Sequence, residues 1–517
     1  MTVVSRRRWH TLEPLFLATC GALLTLSFVA IWAWWLAVVM VALLVWRLNA
    51  SAPRRAAFLG WCFGTAWLCA GTWWLFISLH RYGGLPAWLA VLAVFALSAA
   101  LSGYLALAAA LYARWRRGQV LADAALFAAL WLLAELARGV IFTGFPWVAS
   151  GYAWVDAPLV VLAPWIGVYG LGAVLAFCAA CLAQLLNKAQ VHRLALGAAA
   201  LGALFVPALF GPWPFTQASG TLSVTLLQSN VAQDQKFAVE RMPEALTWAA
   251  QTLSASRADL VVAPETIVPL LPGQLEEFVP GYWAALRERF ASSAQAALVG
   301  VPLGDFERGY SNSAVGLSAG PAYRYDKTHL VPFGEFIPTG FRWFTELMNI
   351  PLGDFSRGVL DAPSFIVRGE RVAPNICYED LFGEEIAVRF ANVQTAPTVM
   401  ANVSNIGWFG DTIAIQQHLN ISRFRTLEFQ RPMLRATNTG ATAIIDHRGV
   451  VTERLAPYTR GVLEGTVQGR TGLTPFAGWA SRWGLWPLLV LALAVIAGQR
   501  LWFSGSPSAP AGPAALP

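Results

Sequence analysis

Cys377 is the one cysteine of six that lies outside the apolar stretches of this 517-residue chain. It ends the run Val372-Ala373-Pro374-Asn375-Ile376 and is followed by Tyr378, Glu379 and Asp380. Upstream in the same hydrophilic region stand Pro264-Glu265 and Asp326-Lys327-Thr328-His329-Leu330. A thiol, a carboxylate and an amine are the parts of an acyl-transfer site. A free thiol titrates near ~8.5, and only its thiolate attacks well. A neighbouring carboxylate can take the proton, and an ammonium favours the anion. Cys377 is therefore the expected nucleophile. Glu265 is the expected general base, first for the thiol and later for an incoming amine. Lys327 is the expected oxyanion stabiliser, because acyl transfer builds negative charge on the carbonyl oxygen. The backbone N–H of Tyr378 can supply a second donor. The plain alternatives are a cysteine packed as a small hydrophobe, a carboxylate capping the turn after Pro264, and a solvated strand lysine. The place of Cys377 at a strand end, beside Tyr378 and Glu379, favours chemistry.

The elements that carry these residues are largely apolar. The chain is 56% hydrophobic and 13% charged, with 24 Trp and 30 Phe, and its mean hydropathy is +0.53. Soluble domains carry about 25% charged residues, so an integral membrane protein with one sizeable hydrophilic domain is expected. The net charge of +7 reflects Lys and Arg in short loops between apolar spans, where they set topology. No basic run interleaved with aromatics is present, and nucleic acid is not an expected partner. Cys178 and Cys181 form a C-x-x-C. Their flanks, Phe177, Ala179, Ala180 and Leu182, favour packing between helices over a metal or redox pair. No metal-ligand spacing and no phosphate-binding glycine loop is found, so no cofactor is expected.

Apolar runs of about 20 residues read as transmembrane helices. Candidates are Ala56–Leu79, Pro86–Ala113, Val120–Ala137, Leu159–Leu186, Leu194–Phe210 and Trp483–Phe503. Leu15–Trp46 is too long for one span. Arg6, Arg7 and Arg8 precede it, and Arg47, Arg54 and Arg55 follow it. Basic residues at both ends favour one side of the membrane, so a hairpin of two short helices turning near Val29–Ile31 is expected. The sum is a polytopic α-helical bundle of about eight spans. Arg114, Arg116, Arg117, Lys188, Arg193 and Arg500 then share the cytoplasmic side, against Arg81 and Arg138 opposite. This puts the hydrophilic domain outside the cytoplasm. The expected domains are a helix bundle over 1–210, a catalytic domain over 211–482, a last helix over 483–503 and a disordered Pro/Ala/Ser/Gly tail over 504–517.

Ionisable residues within the spans are few, which argues against a transporter. Glu135 and Arg138 are the exceptions. Spaced i, i+3, they can pair on one helix face, or Arg138 can meet a lipid phosphate. In the hydrophilic domain, strands are expected at 222–228, 260–263, 297–302, 312–317, 323–325, 366–368, 372–376, 398–402, 441–446 and 450–454. Helices are expected at 239–257, 275–294, 384–391 and 415–429. Mixed order with hairpins points to a layered α/β sandwich. The segment Gly340–Phe355, with Trp343 and Phe344, is the expected helix dipping into the membrane interface.

Glu265, Lys327 and Cys377-Tyr378-Glu379 resemble the Glu-Lys-Cys site of the nitrilase superfamily. Longer strings narrow the resemblance: Gln228-Ser229-Asn230, the stretch from Tyr325 to Glu335, the stretch from Asn402 to Gly410, Arg435-Ala436-Thr437-Asn438-Thr439-Gly440, and Phe142-Thr143-Gly144-Phe145-Pro146-Trp147. In that order, joined to the apolar spans, they resemble the apolipoprotein N-acyltransferase family, the membrane-embedded branch of that superfamily. The likeness covers nearly the whole chain apart from the tail.

The resemblance implies a four-layer α-β-β-α sandwich. It implies transfer of a fatty acyl chain from a phospholipid, phosphatidylethanolamine foremost, to the α-amine of S-diacylglyceryl-cysteine in an apolipoprotein. The route would be a thioester on Cys377, and the step the last in bacterial lipoprotein maturation. It further implies the bacterial inner membrane, with the catalytic domain on the periplasmic side; a monomer is expected. Glu335 and Glu379 match the family's supporting acids, either orienting Lys327, assisting proton movement or forming structural ion pairs. Phe237, Trp408 and Phe409, with Trp343, Phe344 and Arg138, are candidate substrate or lipid contacts. Lys236-Phe237 departs from the family pattern, which has Trp after the Lys, so an indole N–H is lost there. His329 is expected to be structural. Two rival readings are a membrane-anchored amidase and a scaffold or transporter with an inactive nitrilase-like domain.

Overall fold

The computed structural model describes residues 3–185, 191–338, 340 and 355–502. The expected tail 504–517 and the expected interfacial residues Trp343 and Phe344 lie outside them. Apolar helices occupy Val3–Leu24, Trp34–Leu48, Pro53–Thr72, Ala87–Trp115, Val120–Val140, Ala163–Leu185 and Val191–Leu209, and another, Trp486–Trp502, follows the hydrophilic domain. Small residues let these helices approach closely. A Cβ on Gly60 would sit 2.7 Å from Ala109 Cβ, and one on Gly64 would sit 2.9 Å from Ser102 Oγ. Cys178 and Cys181 are buried and free.

The break expected near 29–31 is present: the 3₁₀ turns Thr25–Phe28 and Ile31–Ala33 flank it. By length and composition alone, fewer of the described helices qualify as spans. Four stretches are long and apolar enough to cross a membrane: Thr11–Phe28, Ala87–Trp115, Val120–Thr143 and Pro158–Gln184. Two bent pairs raise the number to six if each counts as one span: Pro53–Thr72 with Leu75–Tyr82 (63°) and Pro475–Trp483 with Trp486–Leu501 (92°). Trp34–Leu48 and Ala195–Leu209 are apolar but shorter. The 15 residues of Trp34–Leu48 reach about 22 Å, against a hydrocarbon core of ~30 Å. Length and composition thus give four to six spans among the described residues, and the two shorter helices bring the apolar helices to the eight expected.

The hydrophilic domain holds twelve strands among the described residues. They are β1 Thr216–Gln228, β2 Leu260–Val262, β3 Ala296–Asp305, β4 Gly309–Leu317, β5 Tyr323–Asp326, β6 Phe365–Val367, β7 Glu370–Ile376, β8 Val399–Ser404, β9 Met433–Thr437, β10 Ala443–Ile445, β11 Val451–Arg454 and β12 Gly461–Gly472. Two six-stranded sheets form, in the orders β12-β1-β2-β3-β4-β5 and β11-β10-β9-β8-β7-β6. In each, three neighbouring strands run parallel (β1, β2, β3 and β7, β8, β9) and antiparallel strands complete the edges. Leu226, Val262 and Leu298 of one sheet pack on Ile376, Val403 and Leu434 of the other. Helices Met242–Ala255 and Tyr282–Ala291 cover the outer face of the first sheet through Leu246, Leu253, Leu286 and Phe290. Ile386, Leu419 and Phe429 cover the second. This is the expected α-β-β-α sandwich.

Three elements differ from expectation. The helix expected over 275–294 is two, Pro272–Phe278 and Tyr282–Ala291, parted by Pro280 and by Gly281 at φ 78°. β9 was hidden inside the Arg435 string. β12 was missed because glycines at 461, 465, 469 and 472 erase its apolar alternation. The helix Ala414–Phe429 has polar residues on every side, yet almost all of it is buried. Four of its hydrogen-bond partners come from the apolar region, one from a helix and three from the turns and loops between helices. Trp74 Nε1 (3.0 Å) and Trp147 Nε1 (2.8 Å) donate to Gln417 Oε1, Asn420 Nδ2 donates to Phe28 O (3.1 Å), and Val168 N donates to Glu428 Oε1 (2.7 Å). This helix therefore ties the sandwich to the bundle.

Candidate active site

Glu265, Lys327 and Cys377 each follow the end of a strand: β2, β5 and β7. The first two belong to one sheet and the third to the other. The turn carrying Glu265 lies directly on β3. A Cβ on Gly300 would sit 2.4 Å from Pro264 O and 2.7 Å from Glu265 Cα, so only glycine admits the turn there. Both carboxylate oxygens of Glu265 are fixed. Oε1 accepts from Asn312 Nδ2 (2.7 Å) and Oε2 from Asn405 N (2.8 Å).

Lys327 is 1% exposed. Its Nζ donates to Glu335 Oε1 at 2.8 Å and lies 3.6 Å from Glu265 Oε1. Asn312 Nδ2 also donates to Glu335 Oε1 (2.9 Å) and so bridges the two carboxylates. Burial disfavours the Lys327 charge, but Glu335 and Glu265 outweigh it and hold the ammonium above the usual lysine range. Cys377 opens the 3₁₀ turn Cys377–Leu381 at φ 55°, and is partly exposed. Burial, then the Glu265 charge, pushes its thiol up to about 12, with Lys327 pulling the other way. Such a thiol is uncharged at rest. Attack therefore has to be coupled to loss of the proton, which is the role expected of Glu265.

Glu335 is the acid that contacts Lys327 directly. Glu379 does not share that task. Its carboxylate accepts from Thr328 N (2.6 Å), Thr328 Oγ1 (2.8 Å), His329 N (3.1 Å), Ile376 N (2.6 Å) and Tyr325 OH (2.8 Å). It thus clamps the backbone just after Lys327 to the backbone just before Cys377. Tyr378 directs its hydroxyl to Gly144 O (3.1 Å). This explains the string Phe142–Trp147: Phe142, Thr143 and Gly144 stand at φ 56°, 71° and 82° and bring that carbonyl under the site.

Arg138 and Glu135 pair at 3.4 Å. Arg138 also donates to Phe145 O (3.0 Å), and Glu135 accepts from Ser150 N (2.7 Å). At 4% exposure the guanidinium is buried and takes the Glu135 pairing, one of the two readings of its i, i+3 spacing. Phe409 packs on Trp74 and Trp147 at ring distances of 4.2 and 5.8 Å, so it joins sandwich to bundle instead of facing substrate. Trp408 meets Tyr82 edge-on at 5.5 Å, and its carbonyl accepts from Ser78 Oγ (2.8 Å). Phe237 is 56% exposed and free to meet substrate. His329 stacks on Phe382 at 3.6 Å, with Nδ1 2.9 Å from Glu385.

One buried neighbour of the site escaped sequence reasoning. Lys236 is buried, and its Nζ donates to Glu265 O (3.1 Å) and to Thr266 Oγ1. Burial pushes it down to about 8, against the pull of Glu265 and Cys377. A lysine in a polar stretch reads as solvated, and nothing local marked it otherwise.

Comparison with known proteins bears on this arrangement. Residues 20–181 match the model of the apolipoprotein N-acyltransferase N-terminal domain, and residues 223–476 match that of the carbon-nitrogen hydrolase domain. An apolipoprotein N-acyltransferase of Verminephrobacter eiseniae is 52% identical over 87% of this chain and 89% of its own length. The chain belongs to the apolipoprotein N-acyltransferase family. A Ralstonia nicotianae member is 45% identical, covering 93% of each chain, and a Bordetella bronchiseptica member 41% identical, covering 94% of this chain and 97% of its own. Membership makes the chain an acyltransferase of a bacterial membrane whose sandwich is a carbon-nitrogen hydrolase domain. The first model falls on the N-terminal apolar helices and the second on the two-sheet domain.

Proposed function

We propose that this acyltransferase moves a fatty acyl chain from a phospholipid to the N-terminal α-amine of S-diacylglyceryl-cysteine in an apolipoprotein, through a thioester on Cys377. The reading rests on one observation above all. Glu265 and Lys327 from one sheet and Cys377 from the other converge at a site whose Tyr378 bonds to a carbonyl of the apolar bundle. Lipid and thiol can meet there.

In the first half-reaction, Glu265 takes the Sγ proton as sulfur attacks the ester carbonyl. The oxyanion forms beside the Lys327 ammonium, which keeps donors free beyond its bond to Glu335. The ester C–O bond breaks, Glu265 returns the proton to the glycerol oxygen, and a lysophospholipid leaves. In the second, the acceptor amine attacks the thioester and gives its proton to Glu265. The C–S bond breaks, the sulfur regains the proton, and an amide remains. Glu379 holds the two strand ends in register throughout, and Tyr378 ties the site to the bundle. A site that excludes water favours the amine over hydrolysis. No cofactor is required, because the acyl group arrives as an ester.

The family names support a lipoprotein acceptor. Phosphatidylethanolamine as donor, a monomeric enzyme and action at the last step of lipoprotein maturation extend that reading. So does placement in the inner membrane with the sandwich on the periplasmic side, which rests on the basic residues clustered in the opposite loops. The test is intact-mass and peptide mass spectrometry after incubation with phosphatidylethanolamine vesicles and no acceptor. A fatty-acyl adduct on the Cys377 peptide is expected, lost in Cys377→Ala and discharged by a diacylglyceryl-cysteine peptide. An unaltered protein that never carries the adduct overturns the proposal.

A further inference from the structure

Beneath Cys377 lies a buried cluster that the acyl-transfer steps leave unused. His418, Asp380 and Arg435 are each 0% exposed. Arg435 belongs to the string Arg435–Gly440, which the catalytic residues do not explain. Its Nη2 lies 2.7 Å from His418 Nδ1. A guanidinium only donates, so Nδ1 accepts and carries no proton. The single ring proton is then on Nε2. That nitrogen lies 2.8 Å from Asp380 Oδ1 and 3.2 Å from the carbonyl oxygen of Cys377, both acceptors.

The rest of the cluster closes around this bond. Asn402 Nδ2 donates to the same Cys377 carbonyl at 3.2 Å. Asp380 Oδ2 accepts from Ser422 Oγ (2.5 Å) and from Arg435 Nη1 (3.3 Å). One carboxylate and one guanidinium balance, leaving the imidazole neutral. Burial and Arg435 hold the ring below its ordinary range, against Asp380. The Trp147 ring, 5.3 Å away, covers it from the bundle side. The carbonyl so anchored belongs to a non-glycine residue at φ 55°, a backbone region that L side chains avoid. Something has to keep Cys377 there.

We propose that His418 is a positioning residue for the nucleophile: its Nε2–H, set by Arg435, anchors the Cys377 carbonyl and holds the thiol toward Glu265. The inference rests on the reading of Cys377 as the nucleophile. It is tested in the full-length protein with His418→Leu, which removes the donor, and His418→Gln, whose amide nitrogen sits near the place of Nε2. Two rates are read on the Cys377 peptide: acyl-adduct formation from phosphatidylethanolamine vesicles and alkylation by iodoacetamide. Thermal unfolding is followed in parallel.

Loss of one buried hydrogen bond should slow both rates about tenfold in His418→Leu, while His418→Gln stays within about threefold. Where His418→Leu does not fold, His418→Asn replaces it; its shorter amide falls short of the carbonyl and should lose the same factor. A purely structural histidine would lower the melting temperature of all variants alike, with no rescue of rate by glutamine. Wild-type rates in His418→Leu, or equal losses in His418→Gln and His418→Leu, overturn the proposal. Absence of any acyl adduct in the unaltered protein instead overturns the acyl-transfer reading, and the alkylation rates still report on His418.

Discussion

Glu265→Gln should abolish rapid acylation while leaving a slow, base-dependent reaction. The thiol of Cys377 is held at about 12, so near pH 7 only about one part in 10⁵ is thiolate. Attack by that fraction alone is too slow, and a positioned base contributes about 10²–10⁴-fold. The substitution removes the base and one of the charges that raises the thiol. The larger cause, burial, stays, so the thiol remains mostly protonated at neutral pH. Lys327 keeps its Glu335 partner at 2.8 Å and keeps its charge. One of the two donors on Glu265, Asn312 Nδ2 or Asn405 N, would face an amide N–H, at a cost of about 1–3 kcal/mol. The assay is single-turnover formation of the acyl adduct on Cys377 from about pH 6.5 to 9, alongside thermal unfolding. The expected rate falls at least about a hundredfold at pH 7 and then climbs about tenfold per pH unit, because free thiolate is now required. Acylation within about threefold of the unaltered protein, or a pH profile of the same shape, would refute the reasoning.

Other expectations follow from the same contacts. Gly300→Ala puts a Cβ against Pro264 O and Glu265 Cα; it should lower stability by about 1–3 kcal/mol and slow acylation, read by melting and by adduct formation. Burial works against the charge of Asp380, but the His418 ring and Arg435 outweigh it and hold the carboxyl below its usual range. Its stabilising contribution is therefore present above about pH 4 and lost as acid reaches the lower folded value. Asp380→Asn should flatten that acid limb in melting temperature against pH. Gln417→Leu leaves Trp147 Nε1 without its acceptor; a loss of about 1–3 kcal/mol is expected, with faster proteolysis of the helix Ala414–Phe429.

Glu265, Lys327 and Cys377 were legible because each is a reactive side chain at the end of a short apolar run, in an otherwise hydrophilic region. β-strand alternation and the apolar runs are likewise local properties, and most elements stand where period and composition put them. The failures share a cause. Lys236 finds Glu265 at a separation of 29 residues, and His418 finds the Cys377 carbonyl at 41. The helix Ala414–Phe429 has the composition of a surface helix, but indoles some 270 and 343 residues upstream bury it. Arg138 lies at the end of an apolar span, where a Glu135 pair and a lipid phosphate were equally open; its burial against the loop carrying Phe145 came only with the fold.

The amino-acid sequence by itself determined which segments are apolar enough to enter a bilayer, which alternate as strands, and which side chains have the chemistry for acyl transfer. Only the tertiary structure decided which polar groups are buried, which of them touch, and that the thiol rests protonated beside a fixed carboxylate. Proton affinity and backbone strain depend on dielectric surroundings and on charges from distant strands and helices, and those neighbours exist only once the chain has folded.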